Sequence, residues 1–425
     1  MIFVTNFTFF MTYPVVNSKA VFTEKAFDHT EAELNSFAPR LLDWFEIHGR
    51  HDLPWQQHKT DAPNPYIVWL SEVMLQQTQV TTVLPYFARF MASFPSVHKL
   101  AAADWDLVAE HWAGLGYYAR ARNLHKGAKQ LVAVIEATGD FPQSLQDWEA
   151  ISGVGRSTAG AIMAMGLHKY GVICDGNVKR VLTRWSAIDG DITKSATDKI
   201  LWELATRLTS SDDAGRFAQA MMDLGATLCT RRNPSCHACP LQNDCIAHAQ
   251  GRETDFPVKA KKAPKPSKFS KALLISNQNG EILWLKRPDN GIWGGLWSLP
   301  LLFDKKVQVD KKSKLEVTIT AEQDDALFDS EMSTAEQIIH ELILTSDVKL
   351  IPCSQDLFDD APIKHSLTHF HWYLTPYQAR LSDENIQILS EKLRQADIDF
   401  QWLGSKTARA KLGLPRAMEK VLESS

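Results

Sequence analysis

Four of the six cysteines fall close together in the chain, at Cys229, Cys236, Cys239 and Cys245. Six, two and five residues separate them in turn. Four thiolates at this spacing can surround one metal centre, and soft sulfur ligands suit either zinc or an iron-sulfur cluster. The spacing therefore predicts a metal site in a reducing compartment, not a disulfide framework, and it leaves both metals open.

Two acidic residues have settings that suit acid-base chemistry. Glu72 is the only charged residue of VWLSEVMLQQTQV, and a glutamate among apolar residues tends to have a raised pKa and to donate a proton. Asp175 lies in an Asp-Gly turn that opens a predicted helix, where aspartate often serves simply as a cap. One protonated and one ionised carboxyl group together can break a glycosidic bond. A solvated glutamate and a capping aspartate are the structural alternative.

Two glycines, Gly153 and Gly155, precede a helix of small residues in ISGVGRSTAG. Glycines at a helix start let backbone N–H groups point outward, so that a DNA phosphate can bind without a basic side chain. A plain packing turn between helices is the alternative. In the loop TRRNPS, between the first two cysteines, Arg231 and Arg232 are further candidates for phosphate contact, although arginine pairs on loops are often merely solvated.

The elements that must position these residues are helical over residues 31–250. Apolar residues recur there at three and four positions, and the breaks fall at glycine and proline. The clearest pattern predicts one helix from Tyr66 to Leu84, bounded by a proline at each end. The hairpin at 151–160 and the cysteine loop at 229–245 belong to this helical domain.

The hydrophobic pattern changes after a lysine- and proline-rich segment, KAKKAPKPSKFSK. This composition is typical of a solvated linker, and the segment could also lie along DNA. Beyond it, two apolar runs flank an Asn-Gly turn, and the run HFHWYLTPYQARL predicts another strand. Helical patterns cover about Thr334 to Leu344 and Asp383 to Gln395. The sequence therefore predicts a linker at 251–271 and a small α/β domain at 272–425.

Length and composition agree with a multidomain globular protein. The chain has 425 residues, 44% of them apolar and 23% charged, which excludes disordered and fibrous classes. A net charge of -4 means that any nucleic-acid surface must be local. We expect residues 1–30 to be an extension, with disorder as one alternative, because they lack the features of a signal peptide and are too interrupted to span a membrane.

Five motifs stand in order along the chain: SEVMLQQTQV, GLGYYARARNLH, GVGRSTAGAI, DGNVKRVL and the four-cysteine loop. With them the chain resembles the MutY-type adenine DNA glycosylases from about Leu41 to Ala249, and more thinly to the C-terminus. The resemblance implies an all-α helix-hairpin-helix glycosylase domain with an iron-sulfur loop, followed by a small MutT-like (Nudix-like) α/β domain. It also implies a 4Fe-4S cluster on the four cysteines instead of zinc.

The resemblance assigns roles to individual residues. It makes Glu72 the acid that protonates adenine at N7 and later helps to activate water. Asp175 would stabilise the sugar cation or bond to it transiently, and Asn177 would support the site. Gln77 and Tyr117 would enter the base stack beside the lesion, as base flipping requires. Tyr117 could otherwise be a core residue, since GLGYY is apolar.

Ser157 distinguishes this chain from related glycosylases that also cut DNA. In proteins that resemble endonuclease III, a lysine at this point of the hairpin attacks the sugar and forms a Schiff base. A hydroxyl group cannot form that imine. The sequence therefore predicts removal of a base to leave an abasic site, with little strand cleavage.

Two positions depart from the family pattern. Ser152 stands where the family often has proline, which loosens the turn slightly. The lesion-reading motif Phe-Ser-His of the MutT-like domain is replaced by Leu367, Thr368 and His369. Threonine retains a hydrogen-bonding group, whereas leucine loses an aromatic contact. We therefore expect Thr368 and His369 to contact the lesion.

Three other functions fit the sequence less well than adenine removal. Nucleotide hydrolysis by the MutT-like domain is disfavoured because LLFDKKVQVDKKSKLEV has no arginine-glutamate set to hold magnesium. An endonuclease III-like lyase on oxidised pyrimidines is disfavoured by Ser157, and a silent DNA-binding protein by Glu72 and Asp175. The prediction is a cytoplasmic, monomeric, monofunctional glycosylase, nucleoid-associated if bacterial. Its partner is double-stranded DNA with adenine opposite 8-oxoguanine or guanine, and no membrane is involved.

Overall fold

The computed structural model describes residues 28–57, 60–260, 263–288, 291–303, 333–346, 348–353 and 362–423. The predicted N-terminal extension therefore lies outside the described residues up to position 27. Most of the segment LLFDKKVQVDKKSKLEV lies outside them as well. No helix within these ranges is long and apolar enough to cross a membrane.

Contacts within the chain define two compact units. The first joins the residues up to Arg50 with Val172–Ala260, and the second joins His51–Gly171 with the residues from Lys261 onward. The helical region therefore contributes to both units. The domain boundaries expected at 250 and 271 stay predictions.

The described residues between 31 and 249 are helical, as their pattern predicts. In chain order the helices are α1 (Glu31–His48), α2 (Pro65–Leu75), α3 (Val80–Ser93), α4 (Val97–Ala102), α5 (Trp105–Trp112), α6 (Tyr118–Thr138), α7 (Leu145–Glu149), α8 (Arg156–Ala161), α9 (Gly176–Trp185), α10 (Ser195–Leu208), α11 (Ala214–Thr227) and α12 (Ile246–Ala249). A π-helical turn (Ile162–Gly166) continues α8, and two 3-10 turns (Cys236–Ala238 and Gln242–Asp244) lie in the cysteine loop.

In the first unit, α9 packs against α10, α11 and α12, and α1 packs against α10 and α11. A capping box starts α1, because the hydroxyl of Thr30 accepts a hydrogen bond from the backbone of Glu33 while the Glu33 carboxylate accepts one from the backbone of Thr30. The buried face of α1 consists of Leu34, Phe37, Leu41 and Phe45. These contacts make α9, which begins directly after Asp175, the central helix of the unit.

In the second unit, the prediction of one helix from Tyr66 to Leu84 is wrong. α2 ends at Leu75 and α3 begins at Val80, with Gln77 between them in the left-handed conformation at φ 57. Pro85 lies inside α3. The apolar periodicity does not reveal the break, because α2 and α3 each bury an apolar face. α2 packs against α3, α6, α8 and the π-helical turn, which holds the helix that carries Glu72 on several sides.

The C-terminal part of the second unit is a mixed sheet with flanking helices. Its strands are β1 (Ser267–Ser276), β2 (Ile282–Lys286), β3 (Trp297–Ser298), β4 (Leu301–Phe303), β5 (Leu350–Pro352), β6 (Ile363–Ser366), β7 (His371–Arg380) and β8 (Phe400–Leu403). Its helices are α13 (Thr334–Thr345), α14 (Asp383–Gln395), α15 (Ser405–Lys411) and α16 (Arg416–Glu423). This arrangement confirms the predicted α/β class, the predicted strand in HFHWYLTPYQARL and both predicted helices.

The described strands form one sheet with the path β3-β2-β1-β7-β5, while β4 pairs with β1, β6 with β7 and β8 with β2. β1 and β7 run parallel from Ser267 beside His371 to Ser276 beside Arg380, and the remaining pairs are antiparallel. The Asn-Gly turn joins β1 to β2 with Gly280 at φ 74, as predicted. Separate apolar cores form from the alternating residues of β1.

Candidate functional site

Asp175 is the N-cap of α9. Its Oδ1 atom accepts hydrogen bonds from the backbone N–H of Asn177 at 3.1 Å and of Val178 at 2.8 Å. Both bonds go to the same oxygen, so the cap does not use Oδ2. Burial raises the pKa of Asp175, although the two backbone bonds and the nearby Arg180 and Lys179 act in the opposite direction. The capping role is therefore confirmed, and it leaves one carboxylate oxygen for another partner.

Arg180 connects the start of α9 to the first cysteine. Its Nη2 donates to the Asn177 side-chain oxygen at 2.9 Å and to the Gly225 carbonyl at 2.6 Å, and its Nε donates to the Cys229 carbonyl at 2.8 Å. Gly225 must be small, because a Cβ atom there would lie 2.8 Å from the Cβ of Asn177. The amide of Asn177 and the backbone of Cys229 thus share one guanidinium group.

The four cysteines of the loop line one cavity, together with apolar residues of α9 and α11. Burial raises the pKa of Cys239 to about 12 and that of Cys245 to about 11, so metal binding must displace their protons. Four cysteines that line one cavity fit an iron-sulfur cluster, which cysteine thiolates would hold. At the edge of the same cavity, ligand atoms of Cys236, His248 and Glu253 lie within 4.8 Å of one another.

Arg184, one helical turn after Arg180, supports the loop between the first two cysteines. It is only 2% exposed. Its guanidinium donates to the carbonyls of Thr230 at 2.7 Å, Arg231 at 3.0 Å and Phe256 at 3.2 Å, and to Cys229 Sγ at 3.3 Å. The side chain of Arg231 is exposed, while its carbonyl accepts the hydrogen bond from Arg184. The loop therefore presents Arg231 to solvent from a supported backbone.

Glu72 lies near the end of α2 and is half-buried. Two residues expected to enter the base stack flank this region, and both have left-handed backbones: Gln77 at φ 57 and Tyr117 at φ 51. Non-glycine residues rarely adopt this conformation, which concentrates at functional sites. Tyr117 is 51% exposed, so the alternative that it is a core residue is wrong.

The glycine hairpin forms the turn between α7 and α8. Gly153 has φ 81, and a Cβ atom there would lie 2.8 Å from the Cβ of Asn123, so glycine is required for two reasons. Gly155 caps α8 at φ -94, and a Cβ atom there would meet nothing within 4 Å. Packing therefore explains why position 153 is glycine, and it gives no reason for glycine at position 155. Ser157 follows in the first turn of α8 and is half-buried.

Thr368 and His369 are exposed at the tip of the hairpin between β6 and β7. Leu367 instead packs partly against the sheet core. Its carbonyl accepts a hydrogen bond from the Lys265 ammonium group at 2.6 Å, and its N–H donates to the Phe370 carbonyl at 2.9 Å. The tip therefore presents a hydroxyl group and an imidazole on a supported turn.

The C-terminal sheet region contacts helices of its own unit close to Tyr117. The Trp105 indole donates to the Gly295 carbonyl at 3.0 Å. The hydroxyl of Tyr118 donates to the Leu414 carbonyl at 3.1 Å. The turn that presents Tyr117 is thereby tied to the C-terminal region through its next residue.

The predicted site residues divide between the two compact units. The first unit holds Asp175, Asn177, Arg231 and the four cysteines, and the second holds Glu72, Gln77, Tyr117, Gly153, Gly155, Ser157, Thr368 and His369. The contacts of Arg180 and Arg184 could not be predicted from the sequence and appear only in the structure. One signal was available for Arg184, since it lies on the apolar stripe of α9 next to the buried Val181 and Trp185.

Comparison with protein families defines the class. Residues 70–207 match the HhH-GPD superfamily of base excision DNA repair proteins, and residues 271–424 match the NUDIX domain. Residues 229–245 match the iron-sulfur binding domain of endonuclease III. Together with the cavity lined by four cysteines, this last match identifies the metal site as a 4Fe-4S centre. The fold and the site thus define an iron-sulfur DNA glycosylase of base excision repair, a hydrolase of N-glycosyl bonds.

Curated relatives narrow the class further. The adenine DNA glycosylase of Buchnera aphidicola (subspecies Acyrthosiphon pisum) is 33% identical over 389 residues, which cover 91% of this chain and 97% of that protein. The human adenine DNA glycosylase is 34% identical over 336 residues, covering 67% and 61%. A solved thermostable thymine-DNA glycosylase aligns with a TM-score of 0.44 at 23% identity, over 52% of this chain and 98% of that one. The chain belongs to the MutY-type adenine DNA glycosylase family.

Proposed function

We propose that this protein removes adenine mispaired with 8-oxoguanine, or with guanine, and leaves an abasic site. The observation that carries the reaction is the carboxyl group of Asp175, half-buried at the start of α9, where Oδ1 caps the helix and Oδ2 makes no capping bond. The resemblance of the whole chain to adenine DNA glycosylases supports adenine as the base. The exposed Thr368 and His369 supply hydrogen-bonding groups for the opposite lesion.

In this proposal the reaction begins with a proton transfer from the carboxyl group of Glu72 to N7 of adenine. The bond between C1′ and N9 then breaks, and its electron pair leaves with adenine. Asp175 stabilises the cation on the sugar, either through its charge or through a transient bond, and Asn177 orients the site. Glu72, now a carboxylate, takes a proton from the water that attacks C1′. The products are free adenine and an abasic deoxyribose.

Asp175 must be ionised to stabilise the sugar cation. Its burial disfavours the charged form, and the two backbone N–H groups and Arg180 favour it. A buried carboxylate held by fixed donors is a preorganised counter-charge, which stabilises a developing cation more than a solvated carboxylate would. The cluster held by Cys229, Cys236, Cys239 and Cys245 shapes the loop that carries Arg231 and takes no part in bond cleavage.

DNA binding is proposed to use backbone and side chains together. We propose that the hairpin at Gly153 and Gly155 and the exposed Arg231 contact phosphates. Gln77 and Tyr117 open the base stack, which is the usual requirement for enzymes that act on a base in a duplex. We expect a monomer that works on chromosomal DNA in the cytoplasm, or in the nucleoid if bacterial. Light scattering during gel filtration tests the monomer, and a dimer mass would contradict it.

One assay separates the proposal from its alternatives. The protein is incubated with duplexes that contain adenine opposite 8-oxoguanine, adenine opposite guanine, or thymine glycol, and abasic sites are scored with and without alkali. Adenine release that needs alkali for strand breaks supports the proposal. Release from thymine glycol with spontaneous strand breaks would identify an endonuclease III-like lyase, and binding without release would identify a silent DNA-binding protein.

Variants test the individual roles. Glu72→Gln should abolish adenine release, and unchanged activity would remove Glu72 from the mechanism. Glu136→Gln, an exposed acid on α6, serves as the matched control. Borohydride trapping tests Ser157, because efficient covalent capture of the protein on DNA would contradict a mechanism without an imine.

A further inference from the structure

The guanidinium of Arg120 lies between the end of α2 and the turn before Tyr117. Its Nη1 donates to the carbonyls of Val73 at 2.9 Å, Met74 at 2.9 Å and Gln76 at 2.5 Å. Its Nη2 donates to the Gly116 carbonyl at 3.2 Å and more weakly to the Thr78 hydroxyl at 3.3 Å and the Leu115 carbonyl at 3.5 Å. One side chain thus joins two segments more than thirty-five residues apart in the chain.

The first set of contacts fixes the end of the helix that carries Glu72. The last carbonyls of an α-helix have no partner within the helix and carry its negative dipole end. A cation that binds two of them and the next carbonyl caps α2 from outside. Val73, whose carbonyl accepts one of these bonds, is the residue directly after Glu72. These bonds therefore fix the position of Glu72 along the axis of α2 relative to Arg120.

Contacts from both terminal nitrogens of Arg120 restrain the backbone beside two exposed residues. The acceptors Gln76 and Thr78 flank Gln77, and the acceptor Gly116 directly precedes Tyr117. Gln77 and Tyr117 both have left-handed backbones, a conformation that persists only where the surroundings enforce it. Arg120 also lies 5.3 Å from the centre of the Tyr117 ring. The same guanidinium therefore restrains both residues.

Arg120 makes these contacts through neutral acceptors. Among the described residues no carboxylate forms an ion pair with it, and its Nε has no hydrogen-bond partner. Burial lowers its pKa to about 10, so it stays charged at neutral pH. A buried cation is costly without a counter-charge, and removal of any one contact segment would leave it poorly satisfied. Such an arrangement suits a residue that holds neighbouring backbone segments at a fixed distance from one another.

We propose that Arg120 is a positioning residue that sets the distance between Glu72 and the exposed pair Gln77 and Tyr117. Extrusion of adenine by that pair then delivers the base to the acid in one geometry. The inference rests on the proposed function and adds to it a residue that contacts neither the base nor the sugar.

The test compares Arg120→Lys and Arg120→Gln with a matched control, Arg89→Lys. Arg89 also donates to a carbonyl at the end of a helix, His111 at 2.8 Å, and lies over the ring of Tyr86, but it is exposed. Each variant is studied on a duplex that contains adenine opposite 8-oxoguanine. The rate constant of adenine release is measured with enzyme in excess over the duplex, and the amplitude of the first turnover is measured with the duplex in excess over enzyme, so that the amplitude counts active enzyme. A duplex with 2-aminopurine in place of adenine reports base extrusion by fluorescence.

A positioning role predicts that Arg120→Lys lowers the rate constant by roughly 10- to 100-fold, since a small misplacement of reacting groups costs about this much. The fluorescence change on binding should fall as well, the amplitude of adenine release should stay near that of the wild type, and Arg120→Gln should be slower still. Arg89→Lys should behave as wild type in all three measurements.

Other outcomes overturn the proposal. A purely structural role would reduce the amplitude, which counts folded enzyme, and leave the rate constant of the remainder unchanged. A wild-type rate constant in Arg120→Lys, or an equal loss in Arg89→Lys, would also refute it while leaving the proposed function intact. Failure of the wild type to release adenine from any duplex would instead refute the proposed function, and this inference with it.

Discussion

Replacement of Arg184 by methionine should release the loop that carries Arg231. The side chain is buried, and three of its acceptors are the carbonyls of Thr230, Arg231 and Phe256. Methionine can occupy the space of the aliphatic stem but cannot donate a hydrogen bond. The Phe256 carbonyl is buried, and a buried carbonyl left without a donor costs about 1 to 3 kcal/mol, so we expect a loss of about 1 to 3 kcal/mol in the stability of the unit.

A loss of about 1 to 3 kcal/mol corresponds to a factor of roughly 5 to 150 in an equilibrium between closed and open loop. The loop also carries Cys229, whose sulfur accepts a bond from Arg184, so the opening should expose the cluster. Unfolding of a protein with a bound cluster is not a two-state process, and a rate is therefore the better measure. The assay is the loss of visible cluster absorbance after addition of an iron chelator, together with iron content and melting temperature.

Arg207→Met is the control for Arg184→Met, because Arg207 lies in the same compact unit and also makes side-chain hydrogen bonds, to Glu31 at 2.6 Å and Asn35 at 2.9 Å. These contacts are exposed, and such ion pairs contribute only about 0 to 1 kcal/mol. Arg184→Met should lose the cluster much faster than Arg207→Met, and Arg184→Lys should be intermediate. Equal rates of cluster loss for both methionine variants would refute the argument.

Three further predictions follow from the same geometry. Because burial raises the pKa of Asp175 above 3.8, the native state binds this proton more tightly than the unfolded chain, and stability is lost as pH rises from 3.8 through the native pKa. Asp175→Asn should therefore be inactive in adenine release yet melt higher than wild type at neutral pH, with a difference that shrinks in acid; a difference independent of pH would contradict this. Gly153→Ala should lower the melting temperature, because its Cβ would lie 2.8 Å from Asn123 Cβ. Gly155→Ala should leave the melting temperature unchanged and weaken DNA binding. Full DNA affinity of Gly155→Ala would argue against phosphate contact at that glycine. Leu367→Phe should raise the ratio of adenine release opposite 8-oxoguanine to that opposite guanine by restoring an aromatic contact, and a constant ratio would count against lesion reading at this tip.

Local features could be predicted well from the sequence. The cysteine spacing, the Asp-Gly turn at Asp175 and the Asn-Gly turn at Gly280 each depend on neighbours within a few residues, and the structure places all of them in the expected elements. The helical class of the first region and the α/β class of the second could be predicted from periodicities that any packed helix or strand must satisfy. The candidate catalytic and DNA-binding residues could be predicted for the same reason, because their motifs are contiguous, and their roles stay predictions.

Tertiary structure alone decided how those residues are held. The arginines at 120, 180 and 184 donate to carbonyls that lie tens of residues away, and a carbonyl leaves no trace in the residue type that carries it. The break after Leu75 was missed because the contact that caps α2 comes from α6, not from a proline or glycine at the break. The raised pKa of Asp175 likewise follows from its burial in the folded chain. Sequence thus determined which groups are present and in what local turn, whereas packing determined their support, since hydrogen bonds to the backbone depend on position in space and not on residue identity.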